Sequence, residues 1–186
     1  MYDVSIIIST SSPTNLIRVL DYIERQKTEL KFEIIIIQEA IGDHRKFNIN
    51  TKLPINDILI VQQTLHYDYG ANAKDLGIIK SNAKYVVFWD DDNIYYDNAL
   101  SIQYNTSNGY DIGIVKTIHQ NLIIPTYNKI IAGDIDTMCL CVKKDLAIKE
   151  KWSTNSGKYS DFRWVNKLLK HKPKINYSDK IIGYHL

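Results

Sequence analysis

Three consecutive aspartates, Asp90, Asp91 and Asp92, stand directly behind the strand-like run Tyr85-Val86-Val87-Phe88-Trp89. Adjacent carboxylates repel one another, so a strand ends on three of them only where something positive offsets their charge. Two things could do so: a bound cation, for which the Asp-x-Asp spacing of Asp90 and Asp92 is suited, or the N-terminus of a helix at about 97–104. Other acidic-site chemistries fail on spacing. A calcium-binding helix–loop–helix starting at Asp90 would need an oxygen ligand and then glycine where the chain has Ile94 and Tyr95. An aspartyl nucleophile at the end of the first strand would need a carboxylate where Ser9-Thr10-Ser11 stands, and a glycine-rich phosphate loop is missing there too.

The elements that must position these aspartates alternate between strand and helix. Val4 to Ser9 is an apolar run, and Ser12-Pro13 supplies an N-cap with proline in the first turn of a helix. Leu16, Val19, Leu20 and Ile23 fall at i, i+3, i+4, i+7, one buried helix face, and residues 33–37 follow as a strand buried on both sides. Further strands are expected at 57–61 and 85–89, with a helix over 71–81 between them. This pattern predicts an α/β fold with a largely parallel sheet, whose ligands bind at the carboxyl ends of the strands. The segments Ser9-Thr10-Ser11, Gln38-Glu39 and Asp90-Asp91-Asp92 should therefore meet on one rim.

The second half is less regular. Strands are expected at 110–117, 121–124 and 137–142, helices at 144–152 and 161–170, the latter with Phe162, Val165, Leu168 and Leu169 inward, and a loop at 153–158. Cys139 and Cys141 lie two apart, on one face of a strand, and read as reduced core residues. Residues 143–174 are rich in lysine, which suits a solvated face, an acidic acceptor or a lipid surface. Ile181 to Leu186 reads as a short strand closing on Tyr184 and His185, whose last three residues add no evident core element. At 186 residues, 45% hydrophobic and 24% charged, the chain suits a single domain. A net charge of +2 is too small for a nucleic-acid footprint, and the absence of a long apolar run or a signal-like start points to a cytoplasmic, soluble protein without a transmembrane segment.

In order and spacing, Val4-Ser5-Ile6-Ile7-Ile8-Ser9-Thr10, the strand from Glu33 to Glu39, Ala73-Lys74-Asp75-Leu76-Gly77-Ile78 and Asp90-Asp91-Asp92-Asn93 resemble a family 2 glycosyltransferase with the GT-A fold, near its minimal length. The resemblance covers residues 3–100 and continues only through Ser160-Asp161 at the start of a helix. It implies a Rossmann-like, mostly parallel twisted sheet flanked by helices, with a nucleotide-sugar-binding half at 1–100 and an acceptor-binding, catalytic half at 101–186. It implies transfer of a hexose, glucose first, from a UDP-sugar to a glycan, lipid or protein hydroxyl by inverting displacement, with Mn²⁺ or Mg²⁺ at the diphosphate. Asp90 would face the ribose and Asp92 the metal, while Asp91 joins the donor site or points away. Glu39 replaces the aspartate expected to contact the uracil, and Lys74 replaces an arginine. Lys74 either approaches the base or diphosphate or is a plain helix-surface lysine, and Thr10 contacts the base or belongs to the helix cap.

Asp161 is implied as the catalytic base, although a helix N-terminus would lower its pKa; Asp136 and Asp134 are the runners-up. His185 is implied as a second metal ligand, the other reading being a solvated terminal histidine. Ser160 in place of glutamate, and Gln38 before Glu39, keep open a non-catalytic nucleotide-sugar or carbohydrate-binding module of the same fold.

Overall fold

The computed structural model describes residues 1–40, 51–64, 68, 70–155 and 157–186. The first part of the chain runs β1 (Tyr2–Thr10), α1 (Pro13–Glu24), β2 (Phe32–Ala40), β3 (Ile58–Thr64), α2 (Ala71–Lys80) and β4 (Ala83–Phe88). The second part runs β5 (Ile94–Tyr95), α3 (Ala99–Ser107), β6 (Ile112–His119), β7 (Leu122–Ile124), β8 (Leu140–Lys143), α4 (Lys144–Ala147), α5 (Ser160–Leu168) and β9 (Ile175–His185). One sheet carries all these strands in the order β3-β2-β1-β4-β8-β6-β9-β5, with β7 hung on β6. The four strands β3, β2, β1 and β4 are parallel, as is the β6–β9 pair; β8, β7 and β5 join antiparallel.

The parallel half forms because both of its faces are covered. Ile6, Ile8, Ile34, Ile36, Tyr85 and Val87 pack under α1 and α3, while Ile7, Ile35, Ile37, Val86 and Phe88 pack under α2, α4 and α5. Continuous Ile and Val runs are what two-sided burial demands, and each such side chain contributes about 1.5–3 kcal/mol by leaving water. Helix α1 starts as its sequence predicts. Ser12 accepts from the Asn15 N–H, Pro13 follows, and Leu16, Val19, Leu20 and Ile23 are buried. Gly77 lets α2 lie on β1, since a Cβ there would meet Ile7 Cγ2 at 2.4 Å.

The second half departs from expectation where polar side chains compete with the ladder. Residues 137–139 form a 3₁₀ turn rather than the start of a strand, because Asp136 accepts from the Met138 N–H and caps the turn. The turn breaks strand alternation, so Cys139 and Cys141 are both free and buried but pack on opposite sides of the sheet. The helix expected at 144–152 stops at Ala147, and 153–155 is a 3₁₀ turn, with Ser156 outside the described residues. In α5 the buried face is Trp164, Val165 and Leu168, with Phe162 and Leu169 only partly covered. Strand β9 begins six residues earlier than expected. Its end is integral, because Tyr184 pairs with Ile94 and Ile118 and stands edge-on to Tyr96 at 5.9 Å. Removing residues 184–186 would therefore open the sheet. No described helix is long and apolar enough to cross a membrane.

Candidate functional site

The carboxyl rim of the parallel strands opens into a cleft of about 390 Å³. Ser9 at the end of β1, Gly70 and Lys74 at the start of α2, and Asp90, Asp91 and Asp92 after β4 line it from the first half. Asp136, Thr137, residues 157–161 and His185 line it from the second. Five aspartates thus face the cleft beside Lys74, Lys158 and His185.

The three segments expected to converge do so. The Thr10 hydroxyl donates to Asp91 Oδ2, and Arg18 Nη2 donates to the Asp91 carbonyl at 3.2 Å, which ties the aspartate run to β1 and α1. Burial first, then Asp92 and Asp90, push the Asp91 carboxyl up to about 6 against the pull of Thr10 and Arg18. Glu39 is buried beside the rim but not in the cleft, its two oxygens accepting from Ser9 Oγ and Gln63 Nε2, each at 3.0 Å.

Asp90 is held from two sides. Thr137 Oγ1 donates to its Oδ2 at 3.0 Å and Lys74 Nζ stands 3.4 Å from its Oδ1. Lys74 is not a surface lysine: it is 7% exposed, with its ammonium 5.4 Å from the Trp152 ring centroid. Burial alone would lower its pKa, but Asp90, Asp161 and Asp136 outweigh that and raise it, so it stays charged. Its floor is aromatic, with Trp152 stacked on Trp164 at 4.2 Å and both against Phe88. Asp75, the residue after Lys74, accepts from the Trp152 and Ser153 N–H groups, which anchors the loop leading to Asp161.

Asp92 is exposed, and among the described residues nothing donates to its carboxylate. Across the cleft, His185 Nδ1 lies 3.0 Å from Asp136 Oδ2, an ion-pair contact whose N–H direction is off a proper hydrogen-bond line. Asp136 raises the His185 pKa against the cost of burial. Burial would raise Asp136 in turn, but His185, the Met138 N–H and Lys74 prevail and hold its carboxyl below the ordinary value. His185 is half-buried against His119, ring centroids 4.3 Å apart, so it is not a solvated terminal residue.

Asp161 sits in the first turn of α5 as expected, but the helix end does not dominate its chemistry. Burial first, then the charges of Asp136 and Asp90, raise its carboxyl to about 6 against Lys74 and the Ser160 hydroxyl, 3.2 Å away. At neutral pH it is ionised and basic enough to take a proton. Asp134 is not part of the cleft. It closes a loop by accepting from the Thr126 N–H at 2.9 Å and hydroxyl at 2.8 Å.

Sequence reasoning passed over Thr137, Lys158 and Tyr159. Thr137 directly follows Asp136, and Lys158 and Tyr159 border Ser160-Asp161, but only the fold turns them into one cleft. No protein-family model matches this sequence, and no curated protein matches it. Structure gives a clear likeness. S. aureus TarS 1–349 superposes with a TM-score of 0.72 at 13% identity, over 98% of this chain and 60% of that one. The same protein in complex with UDP gives 0.71, and in complex with UDP-GlcNAc 0.68. The chain spans about 60% of the length of these TarS structures, and the fold, a curled α/β sheet flanked by helices, is common to both.

Proposed function

We propose that this chain is a glycosyltransferase domain that moves a hexose from a UDP-sugar to an acceptor hydroxyl, with a divalent cation, Mn²⁺ or Mg²⁺, at the diphosphate. The observation that carries the reading is the meeting of Asp90, Asp92, His185 and Asp161, from three separate segments, in one cleft at the strand rim. The fold it shares with TarS, solved with UDP and with UDP-GlcNAc, supports the choice of donor.

The residues suit a cation. Asp92 offers a carboxylate that no described residue engages, and His185, with Asp136 Oδ2 3.0 Å from its Nδ1, would offer Nε2 to the cation once it gives up the proton that Asp136 favours. No three His, Cys, Asp or Glu side chains among the described residues converge to hold an ion alone, so diphosphate oxygens would complete its shell. When bound, the cation neutralises charge developing on the leaving diphosphate.

The chain's own groups do the rest. Asp161 takes the acceptor hydroxyl proton as that oxygen attacks the anomeric carbon. The bond from that carbon to the phosphate oxygen breaks, and UDP leaves with its electron pair. Direct displacement inverts the anomeric centre. Lys74 and Thr137 fix Asp90 for the donor ribose. Glu39 and Thr10 lie buried behind the cleft lining and act on the uracil end through the groups they hold, Ser9 and Asp91, which do line it.

A thermal-shift screen with UDP-glucose and UDP-GlcNAc, with and without Mn²⁺, tests the reading. A ligand at about 100 times its Kd adds about 2.7 kcal/mol. Binding with turnover, as hydrolysis or transfer, supports the enzyme; glucose is the first choice of sugar. Binding without turnover would make the domain a nucleotide-sugar-binding module, and no binding would sink both readings.

A further inference from the structure

We propose that Tyr159 is the platform on which a sugar ring of the acceptor stacks, so that the substrate accepting the hexose is a glycan. The proposal rests on the glycosyltransferase reading of the same cleft. Tyr159 precedes α5 with φ 65°, in the left-handed region, where a side chain bearing a Cβ is disfavoured and glycine is at ease. A bulky aromatic held there is a cost that the local turn does not require, and such positions gather at ligand sites.

The surroundings fit the ring rather than the turn. Gly133, with φ 80°, passes beside the phenol so closely that a Cβ on it would stand 3.2 Å from Tyr159 Cε1. The loop bearing Gly133 is pinned by the Asp134 carboxylate on Thr126. Lys158 Nζ lies 5.1 Å from the ring centroid. Yet the tyrosine remains 47% exposed where it borders the cleft, and no described residue hydrogen-bonds its hydroxyl. An aromatic ring half exposed at a cleft, with an ammonium over one face and a hydroxyl at its tip, is suited to a pyranose, whose C–H groups pack on the exposed part of the ring while its hydroxyls reach the phenol and Lys158.

Position assigns the platform to the acceptor. Tyr159 is two residues from Asp161, the proton-accepting group, and lines the same cleft, on the segment that carries that base. A ring stacked there brings its hydroxyl to the base. A lipid phosphate or a flexible serine acceptor gains nothing from a planar aromatic face.

Tyr159→Gly separates function from folding, because glycine relieves the backbone and removes the ring. The melting temperature should not fall and UDP affinity should be unchanged. The acceptor KM, measured over a panel of alkyl glycosides and oligosaccharides with UDP-hexose and Mn²⁺, should rise by about tenfold or more, with Tyr159→Phe recovering most of the loss. Unchanged acceptor KM in the glycine variant overturns the proposal. So does a joint fall in melting temperature, UDP affinity and transfer, which would make Tyr159 structural. If the parent binds and turns over no donor, the enzyme reading itself fails. Saturation-transfer NMR with methyl glycosides then decides the platform: contact in the parent but not in the glycine variant supports it, and contact in neither refutes it.

Discussion

The two sides of the cleft are built differently. From β1 to β4 the chain is parallel sheet with helices packed on both faces, and its contribution, Ser9, Lys74 and Asp90 to Asp92, comes from the ends of regular elements. From β5 onward the sheet mixes directions, and the β6–β9 register shifts between Ile114 and Lys116 and again between Lys116 and Ile118. That half delivers Asp136 from a loop, Asp161 from a helix start and His185 from a strand end. Burial and neighbours tune proton affinity in both halves, at Asp91 and Lys74 in the first and at Asp136, Asp161 and His185 in the second; what differs is that the regular half holds its groups at element ends, whereas the candidate base and the histidine come from the irregular half.

The sharpest way to test that division is Asp161→Asn. Transfer should fall by about 10² or more while UDP affinity persists, read by single-turnover kinetics and titration. Full activity would move the base to Asp136. In the parent, the Asp161 carboxyl should make kcat/KM drop about tenfold per unit as pH falls below about 6, because it titrates near 6 and accepts a proton only when ionised.

Two glycines compare the halves in stability. Gly77→Ala forces a Cβ against Ile7 Cγ2 and should cost about 1–3 kcal/mol in denaturant melts. Gly183→Ala puts a Cβ 1.9 Å from the Ile94 carbonyl oxygen; it should cost at least as much and also weaken UDP binding with Mn²⁺, because β9 carries His185. Equal effects of both variants on binding would erase the contrast.

A smaller effect is expected from Asp92→Asn, which should leave the melting temperature of the ligand-free protein alone and weaken Mn²⁺-dependent UDP binding by about tenfold or more; His185→Ala should act the same way. Unchanged metal-dependent binding in both removes them as ligands. The smallest is Asp91→Asn: with its carboxylate committed to Thr10, it should move the donor KM by only about threefold and leave the acid limb of the pH profile in place.

Legibility in the sequence follows the same division. Ile34 to Ile37 and Tyr85 to Phe88 announce strands because two-sided burial leaves no polar interruption, and the stripe Leu16, Val19, Leu20, Ile23 announces α1. The strand β9 was hidden by Asn176 and Ser178, only partly covered, and by Asp179 and Lys180, which are exposed, so none of them need be apolar. The turn at 137–139 was hidden because Thr and Cys suit strands, while the cap that decides the matter is the Asp136 side chain. In the site, the position of Asp90 and Asp92 at a strand end was readable. The burial of Lys74, the engagement of Glu39 by Ser9 and Gln63, and the raised pKa of Asp161 depend on contacts across tens of residues, which spacing does not encode.

The junction between β4 and β8 has a kinetic consequence. Strands β1 and β2 pair through one short crossover and β4 joins β1 within the first 88 residues, but Tyr85, Val86 and Val87 find their other partners only at Lys143, Val142 and Cys141. Until that late segment arrives, an apolar strand presents an unpaired edge, the template on which nascent chains stick to one another. Closure of a loop this long is the slow event in assembling a sheet. Pulse-labelled hydrogen exchange during refolding should therefore find β1 and β2 amides protected before those of β8. Refolding yield should decline as protein concentration rises, and protection of all the strands at one rate would refute the order.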